Sequence, residues 1–288
     1  MKLHRGSGNR KRLSKLPGEA LLTFSDRDDK ALQNRRPNSG RILAGLAAGL
    51  VLLCSFCASV RAQRYSFRQY TQGLGNLNIT AIQQDRTGYL WVGTQNGLYR
   101  YDGSQFQRYG LNQGIPDRII DNLYLGLDGT LWVGTTAGVY FERKDGQFTA
   151  VKLPFPLNEF THPTGTTFAS NKADEVVTVS SSRGVVLRRR DHDQWVAEPF
   201  NLQGAFIWSV LYGPDGSLWY GCDKELCRLK DGQMTQMRTT LKLPEEQWAT
   251  MMVARDGNIW LRSAQHIVEL APDGSRADIR DLPGKPGS

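Results

Sequence analysis

Asp85-Arg86-Thr87-Gly88-Tyr89-Leu90-Trp91-Val92-Gly93-Thr94-Gln95-Asn96-Gly97-Leu98-Tyr99 reads as a turn, a strand, a tight turn and a second strand. The phrase returns as Asp128-Gly129-Thr130-Leu131-Trp132-Val133-Gly134-Thr135, then as Asp215-Gly216-Ser217-Leu218-Trp219-Tyr220-Gly221, and again as Asp256-Gly257-Asn258-Ile259-Trp260-Leu261. A worn copy, Glu175-Val176-Val177-Thr178-Val179, fills the wide gap, and the reading places Thr178 at its tryptophan level. The ruler then falls at positions 91, 132, 178, 219 and 260, in steps of 41, 46, 41 and 41. A period in the low forties made of strand-type residues marks a propeller or a β-solenoid array. One such unit cannot bury both faces of its small sheet and must stack on its neighbours.

Each unit divides into four strands. In the first, Ile79–Gln84 is a strand, and Asp85 to Gly88 is a turn in which Asp bonds the backbone ahead and Gly supplies positive φ. Leu90–Thr94 is the second strand, Asn96-Gly97 a hairpin turn, Leu98–Tyr101 the third strand and Gln105–Tyr109 the fourth. Leu90, Trp91 and Val92 put apolar groups on both faces, so both faces need cover. Gly93 and Gly134 point to close backbone approach. No stretch has helical periodicity. Tyr65 to Tyr70 alternates like the closing strand Gln105–Tyr109, so the chain opens on the last strand of a blade. Ser275 to Asp281 reads as the fourth strand of the last unit. Pro154, Pro156 and Pro163 make Leu153 to Thr167 an enlarged surface loop before the third unit.

The repeat units are drawn at about 63–113, 114–157, 158–203, 204–243 and 244–288. A leader precedes them. Of 36 Lys and Arg and 28 Asp and Glu, 12 and 4 fall in residues 1–62, which leaves the body balanced at 24 each. The net charge of +8 therefore belongs to the leader, and a nucleic-acid partner loses its support. Residues 1–41 are basic and polar. Ile42 to Val60 is free of charge, and Val60-Arg61-Ala62 offers a cleavage site before Gln63, the pattern of a secretory signal. An uncleaved anchor is the alternative. Both place the body outside the cytoplasm, periplasmic or anchored facing the periplasm. Cys222 and Cys227 flank the turn that replaces the usual one in the fourth unit, so a hairpin disulfide is expected in an exported chain. Metal binding by these thiols is the alternative, although zinc needs four ligands.

The other chemistry-bearing residues are sparse. His162, His192 and His266 lack metal-ligand spacing, and Asp191-His192-Asp193 reads as a solvated turn. Arg188-Arg189-Arg190 reads as a charged outer strand that protects an edge. Trp91, Trp132, Trp219 and Trp260 recur in one context and are read as repeat core rather than a sugar platform. No catalytic set, metal site or cofactor loop assembles from spacing.

Asn-x-Ile-x-x-Ile, Asp-x-x-Gly-x-Leu-Trp-Val-Gly-Thr, Gly-Leu-Tyr-Arg-Tyr-Asp-Gly and Phe-x-x-Tyr, spanning Asn78 to Tyr109, closely resemble the two-component regulator propeller repeat. Asp117 to Phe148 matches well, the fourth and fifth units match through their Asp-Gly-x-Leu/Ile-Trp core, and the third barely matches. The resemblance implies seven-bladed extracytoplasmic propellers, often sensing sugars, ahead of a membrane span and an output domain that is a histidine kinase or a diguanylate cyclase. The fold class expected is all-β: a propeller of five four-stranded blades, an open part of a seven-bladed ring, with a closed five-bladed ring as the alternative. The function expected is a ligand-sensing module, truncated before its output domain and without catalysis or cofactor. Its partners would be a small molecule or oligosaccharide, further blades and a membrane-spanning output region. A propeller lyase or hydrolase, with His162 and His266 as its candidate acid–base groups, and an inert structural fragment are the alternatives.

Overall fold

The computed structural model of the protein describes residues 69–282 except 71, 117, 158–164 and 192–193. The leader and its cleavage site, most of Tyr65 to Tyr70, His162 and His192 lie outside the described residues.

Twenty strands form five four-stranded antiparallel sheets, each built from four consecutive strands. Blade 1 holds β1 (Ile79–Gln84), β2 (Leu90–Thr94), β3 (Gly97–Tyr101) and β4 (Phe106–Tyr109). Blade 2 holds β5 (Ile120–Leu125), β6 (Leu131–Thr135), β7 (Gly138–Glu142) and β8 (Phe148–Ala150). Blade 3 holds β9 (Phe168–Lys172), β10 (Glu175–Val179), β11 (Gly184–Asp191) and β12 (Gln194–Phe200). Blade 4 holds β13 (Ile207–Tyr212), β14 (Leu218–Cys222), β15 (Glu225–Lys230) and β16 (Gln233–Gln236). Blade 5 holds β17 (Thr250–Val253), β18 (Ile259–Arg262), β19 (His266–Leu270) and β20 (Ala277–Asp281). Single helical turns at Leu111–Gln113 and Arg238–Leu241 serve as connectors. This is a five-bladed β-propeller.

The hairpin between the second and third strands sets a common register. Thr94 Oγ1 donates to the Gly97 carbonyl and accepts from the Asn96 N–H. Thr135, Ser180 and Ser263 do the same in blades 2, 3 and 5. In blade 4 the position is Cys222, and a disulfide to Cys227 (Cα–Cα 5.9 Å) holds the turn instead. Counting back three residues from this latch gives Trp91, Trp132, Val177, Trp219 and Trp260. The sequence-based placement of Thr178 at the tryptophan level is therefore corrected by one residue. The pairing of Ser180 with Arg183 fixes it, and Val177, not Thr178, then turns toward blade 4. A one-residue shift exchanges the faces of a strand, which is why the difference matters.

The core is divided among the junctions. Trp91 packs on Ile115, Ile120 and Leu123 of blade 2. Trp132 packs on Phe168, Val176 and Trp195 of blade 3, Val177 on Ile207 and Val210 of blade 4, and Trp219 on Met251, Ile259 and Trp248 of blade 5. Each second-strand side chain at this level is thus covered by the blade that follows. Gly93 lies where an added Cβ would sit 2.7 Å from Ile120 Cγ2 and, at the equivalent Gly221, 2.3 Å from the Trp248 carbonyl oxygen. Gly134 occupies the same register and is buried. These glycines let the next blade close in.

The faces that would join blade 5 to blade 1 are different. Ile79 and Ile82 are 41% and 64% exposed, whereas their counterparts Ile120 and Leu123 in blade 2 are 0% and 7% exposed. Trp260 is only partly buried, with the Arg280 guanidinium 5.6 Å from its ring. In the register of Gly93, Gly134 and Gly221, blade 5 carries the exposed Arg262. The ring is open along this seam.

Two sequence-based expectations are corrected by topology. The Arg188-Arg189-Arg190 strand is β11, which lies between β10 and β12 rather than at an edge. Arg188 pairs with Glu175 and Glu198 of its neighbours, and Arg189 reaches Asp128 of blade 2. Alternation sends Arg188 and Arg189 to opposite faces, where both find carboxylates. The run expected as a surface loop ends differently too. The Thr166 N–H donates to the Ala249 carbonyl of blade 5, and its own carbonyl accepts from the Val210 N–H of blade 4. Thr167 is fully buried. Pro154 and Pro156 lie outside any strand, as expected, but the chain from Gly165 to Thr167 runs inward because its backbone groups find partners there.

Candidate functional site

The first strands of blades 1, 2 and 4 each contain a bulge at the inner end, between Ile79 and Ala81, Ile120 and Asn122, and Ile207 and Ser209. A bulge inserts one unpaired residue and re-aims its side chain. The inserted residues are Thr80, Asp121 and Trp208, and all three line a single cavity of about 690 Å³. Thr166 from the inward-running segment, Gln247 and Thr250 of blade 5, and Arg262 and Ser263 beside the seam complete its wall. The cavity is thus assembled from first-strand residues of successive blades and lies on the propeller axis. Its size falls within the range of small-molecule sites.

Its electrostatics are unusual in one respect. Asp121 is half-buried and has no hydrogen-bond or ion-pair partner among the described residues, and burial pushes its carboxyl up to about 6. Arg262, in the same wall, also has no side-chain partner among the described residues. The turn carboxylates are satisfied, whereas Glu142 of β7 is a second half-buried carboxyl that burial pushes up. Asp85 accepts from the Thr87 and Tyr89 N–H groups and from Trp91 Nε1 (2.9 Å). Asp128 is taken by Arg189, and Asp215 by Arg228 and Lys230. Although burial pushes the Asp215 carboxyl up, its bonds from Ser217, Lys230 and Arg228 hold it well below the usual range. The turn aspartates therefore act as turn residues, with Asp128, Asp215 and Asp256 accepting from the N–H two positions on.

A second cleft of about 720 Å³ adjoins the axial cavity and shares Trp208 and Gln247 with it. Trp208 lies 4.2 Å, ring to ring, from Phe206 and donates from Nε1 to the Asp223 carbonyl at 2.7 Å. Most of the cleft's charges are paired: Arg238 with Glu225 and Glu245, and Lys224 with Glu245. In the axial cavity Asp121 and Arg262 are left for a visitor.

The residues singled out from sequence fall as follows. Trp91, Trp132 and Trp219 are 1%, 0% and 0% exposed and lie in the junctions, away from the cavity. Gly93 and Gly134 lie beside them. His266 sits off the axis, its Nδ1 2.9 Å from Glu246 Oε1 and its Nε2 3.1 Å from Asp281 Oδ1. Ser263 Oγ also bonds Glu246, so the group is a closed structural network. Asp121, Trp208, Gln247 and Arg262 were not singled out. Three of them had a signal: a carboxylate within Ile119-Ile120-Asp121-Asn122-Leu123, a tryptophan outside the repeat register, and an arginine where the repeat has glycine.

Asp121 yields a stability prediction. Its carboxyl titrates higher in the folded chain than in the unfolded one, so the folded state holds the extra proton. The penalty is absent below about pH 4, grows as pH rises toward 6 and is constant above. Discounted for its partial exposure, it amounts to about 1 kcal/mol. Asp121→Asn is expected to gain that stability in urea titrations at pH 7.5 and to lose the gain at pH 4. An equal gain at both pH values would contradict the assignment.

Comparison with known proteins agrees with this architecture. The two component regulator propeller family model matches residues 73–96, from the approach to β1 through β2. The chain is therefore a β-propeller whose first blade carries a two component regulator propeller repeat. Over 67 residues it is 42% identical to histidine kinase P4 of Formosa agariphila, a stretch that covers 22% of this chain and 5% of the kinase. The extracellular domain of a hybrid two-component system from B. thetaiotaomicron superposes with a TM-score of 0.59 at 19% identity, covering 73% of this chain and 31% of that one. A streptogramin B lyase gives 0.59 at 15% identity, covering 75% and 73% of the two chains. Virginiamycin B lyase from Staphylococcus aureus gives 0.55 at 18% identity, covering 72% and 71%. At such identities the likeness is one of fold.

Proposed function

We propose that the chain is the extracytoplasmic ligand-binding propeller of a two-component or diguanylate cyclase receptor, exported by its apolar leader segment and acting without catalysis of its own. The observation that carries this reading is the axial cavity, where an unpartnered carboxylate, an unpartnered guanidinium and a ring of hydroxyls and amides meet. The resemblance in fold to extracellular domains of hybrid two-component systems supports it. Coupling to an output domain would pass through population shift: a ligand that binds one arrangement of the blades more tightly moves the receptor toward it.

The lyase neighbours raise catalysis as a second reading. Acid–base work needs a titrating group within reach of a bound substrate. His266 is held between two carboxylates outside the cavity wall. Asp121 is the cavity's titratable carboxyl, and no nucleophile or base bonds to it among the described residues.

Two measurements test the proposal. An alkaline phosphatase reporter fused after the leader is expected to be active, as it is only outside the cytoplasm; an inactive fusion with full cytoplasmic expression overturns export. A thermal-shift screen of the chain against oligosaccharides, amino acids and peptides is expected to find a ligand that mass spectrometry recovers unchanged. Recovery of a cleaved or rearranged product overturns the non-catalytic reading.

A further inference from the structure

The axial cavity holds its acid and its base apart. Asp121 comes from the bulge of β5 in blade 2, and Arg262 from the end of β18 in blade 5, so they reach the cavity from different blades. Neither forms an ion pair with the other or with any described residue. Several arginines elsewhere are treated differently. Arg188, Arg189, Arg228, Arg238 and Arg280 all pair with carboxylates. Leaving a half-buried carboxylate unpaired is costly, and such cost is retained where a binding partner relieves it.

The rest of the wall includes neutral residues able to hydrogen-bond, Thr80, Gln83, Gln247 and Thr250. Gln83 uses only its Nε2, which donates to the Gln84 carbonyl at 3.0 Å, so its carbonyl oxygen faces no protein donor. Trp208 supplies the apolar surface at the side that opens toward the neighbouring cleft. Among the described residues no blade closes on β18, which leaves room for Arg262 where Gly93 and Gly221 meet the blade that follows.

We propose that the axial cavity binds a zwitterionic ligand, a short peptide with free termini, with its ammonium on Asp121, its carboxylate on Arg262 and its amides on the glutamines and threonines between. This rests on the reading of the chain as a ligand-binding propeller and names the class of ligand. A neutral oligosaccharide would fill the hydroxyl and amide positions but leave both charges unanswered. An ammonium or a carboxylate alone would answer only one. Arg is suited to the carboxylate end because its fork can donate to both oxygens at once. Charge-assisted bonds of this kind give each terminus an effect of about tenfold or more in affinity.

The test is calorimetric titration of the full chain with trialanine, with N-acetyl-trialanine, with trialanine amide and with maltotriose. Free trialanine is expected to bind, and blocking either end to weaken binding about tenfold or more. The variants assign the ends. Asp121→Asn should weaken trialanine by the same factor yet leave N-acetyl-trialanine unchanged. Arg262→Gln should do so for trialanine and leave trialanine amide unchanged. Both variants are expected to fold, since Asp121→Asn removes a buried charge and Arg262 is exposed, and thermal unfolding verifies this. Maltotriose binding that neither variant affects, with no response to trialanine, overturns the zwitterion and leaves the ligand-binding reading in place. Equal affinity for free and blocked peptides overturns it as well. No binding in any arm overturns it and counts against the ligand-binding reading too.

Discussion

Trp219→Ala is expected to cost about 3–5 kcal/mol, and Trp260→Ala about 1 kcal/mol, although both residues stand at the same point of the repeat. Trp219 is fully buried, and its indole meets Met251, Ile259 and Trp248 of blade 5. Removing it leaves a cavity inside a junction that two rigid sheets cannot collapse to fill. Among the described residues no blade covers Trp260, which is only partly buried, under Arg280. Its loss forfeits only the partial burial and a cation–π contact of about 0.5–1 kcal/mol. For a body of this size, 1 kcal/mol moves the melting temperature by about 2–4 °C. Thermal unfolding should therefore separate the two variants by roughly 10 °C. Equal losses would mean that the seam is packed like the four internal junctions.

Gly221→Ala is the second large effect, again set against its partner in register. An added Cβ at Gly221 would sit 2.3 Å from the carbonyl oxygen of Trp248 and 3.2 Å from Ser209 Oγ. The first contact is with backbone, so blade 5 must move as a body or the junction must part. The cost expected is at the upper end of overpacking, about 3 kcal/mol. The same substitution at the equivalent blade 5 position, Arg262→Ala, should change stability by no more than about 0.5 kcal/mol, because nothing closes on it. Urea unfolding of the two variants checks this. A mild Gly221→Ala would show that blades 4 and 5 are less closely apposed than the contact distances state.

Much of the architecture was legible because the repeat states it four times. The expected strands Ile79–Gln84 and Leu90–Thr94 are β1 and β2 with the same limits, and the third and fourth strands begin within a residue of expectation. Alternating apolar residues around a tryptophan, bounded by Asp-Gly and Asn-Gly turns, leave the chain few other options. Blade 3 was misjudged by one residue for a local reason. Its tryptophan is gone, and the flanking Val176, Val177 and Val179 look alike from either face. The latch from Ser180 to Arg183 decides the register, and that hydroxyl contact is made only once the hairpin is formed.

The cavity was not legible in the same way. Asp121, Thr166, Trp208 and Arg262 sit in four different units of the chain and meet only because the blades share an axis. Periodicity predicts that inner strands converge, but not which of them carry bulges. A bulge adds one residue to a strand and turns its side chain out of the alternating pattern. The repeat therefore announces its core through sameness, and the site lies at the departures from sameness. Arg262 in place of glycine is the clearest of these, and it follows from the open seam of the fold.

The most direct measurement of the functional account is the difference electron density of a crystal of the chain soaked with a ligand that stabilises it. The account predicts density on the propeller axis, in contact with Asp121 and Arg262 and bordered by Trp208. Density confined to the neighbouring cleft among Phe206, Asp223 and Arg238, or to the outer edges of the blades, would contradict it.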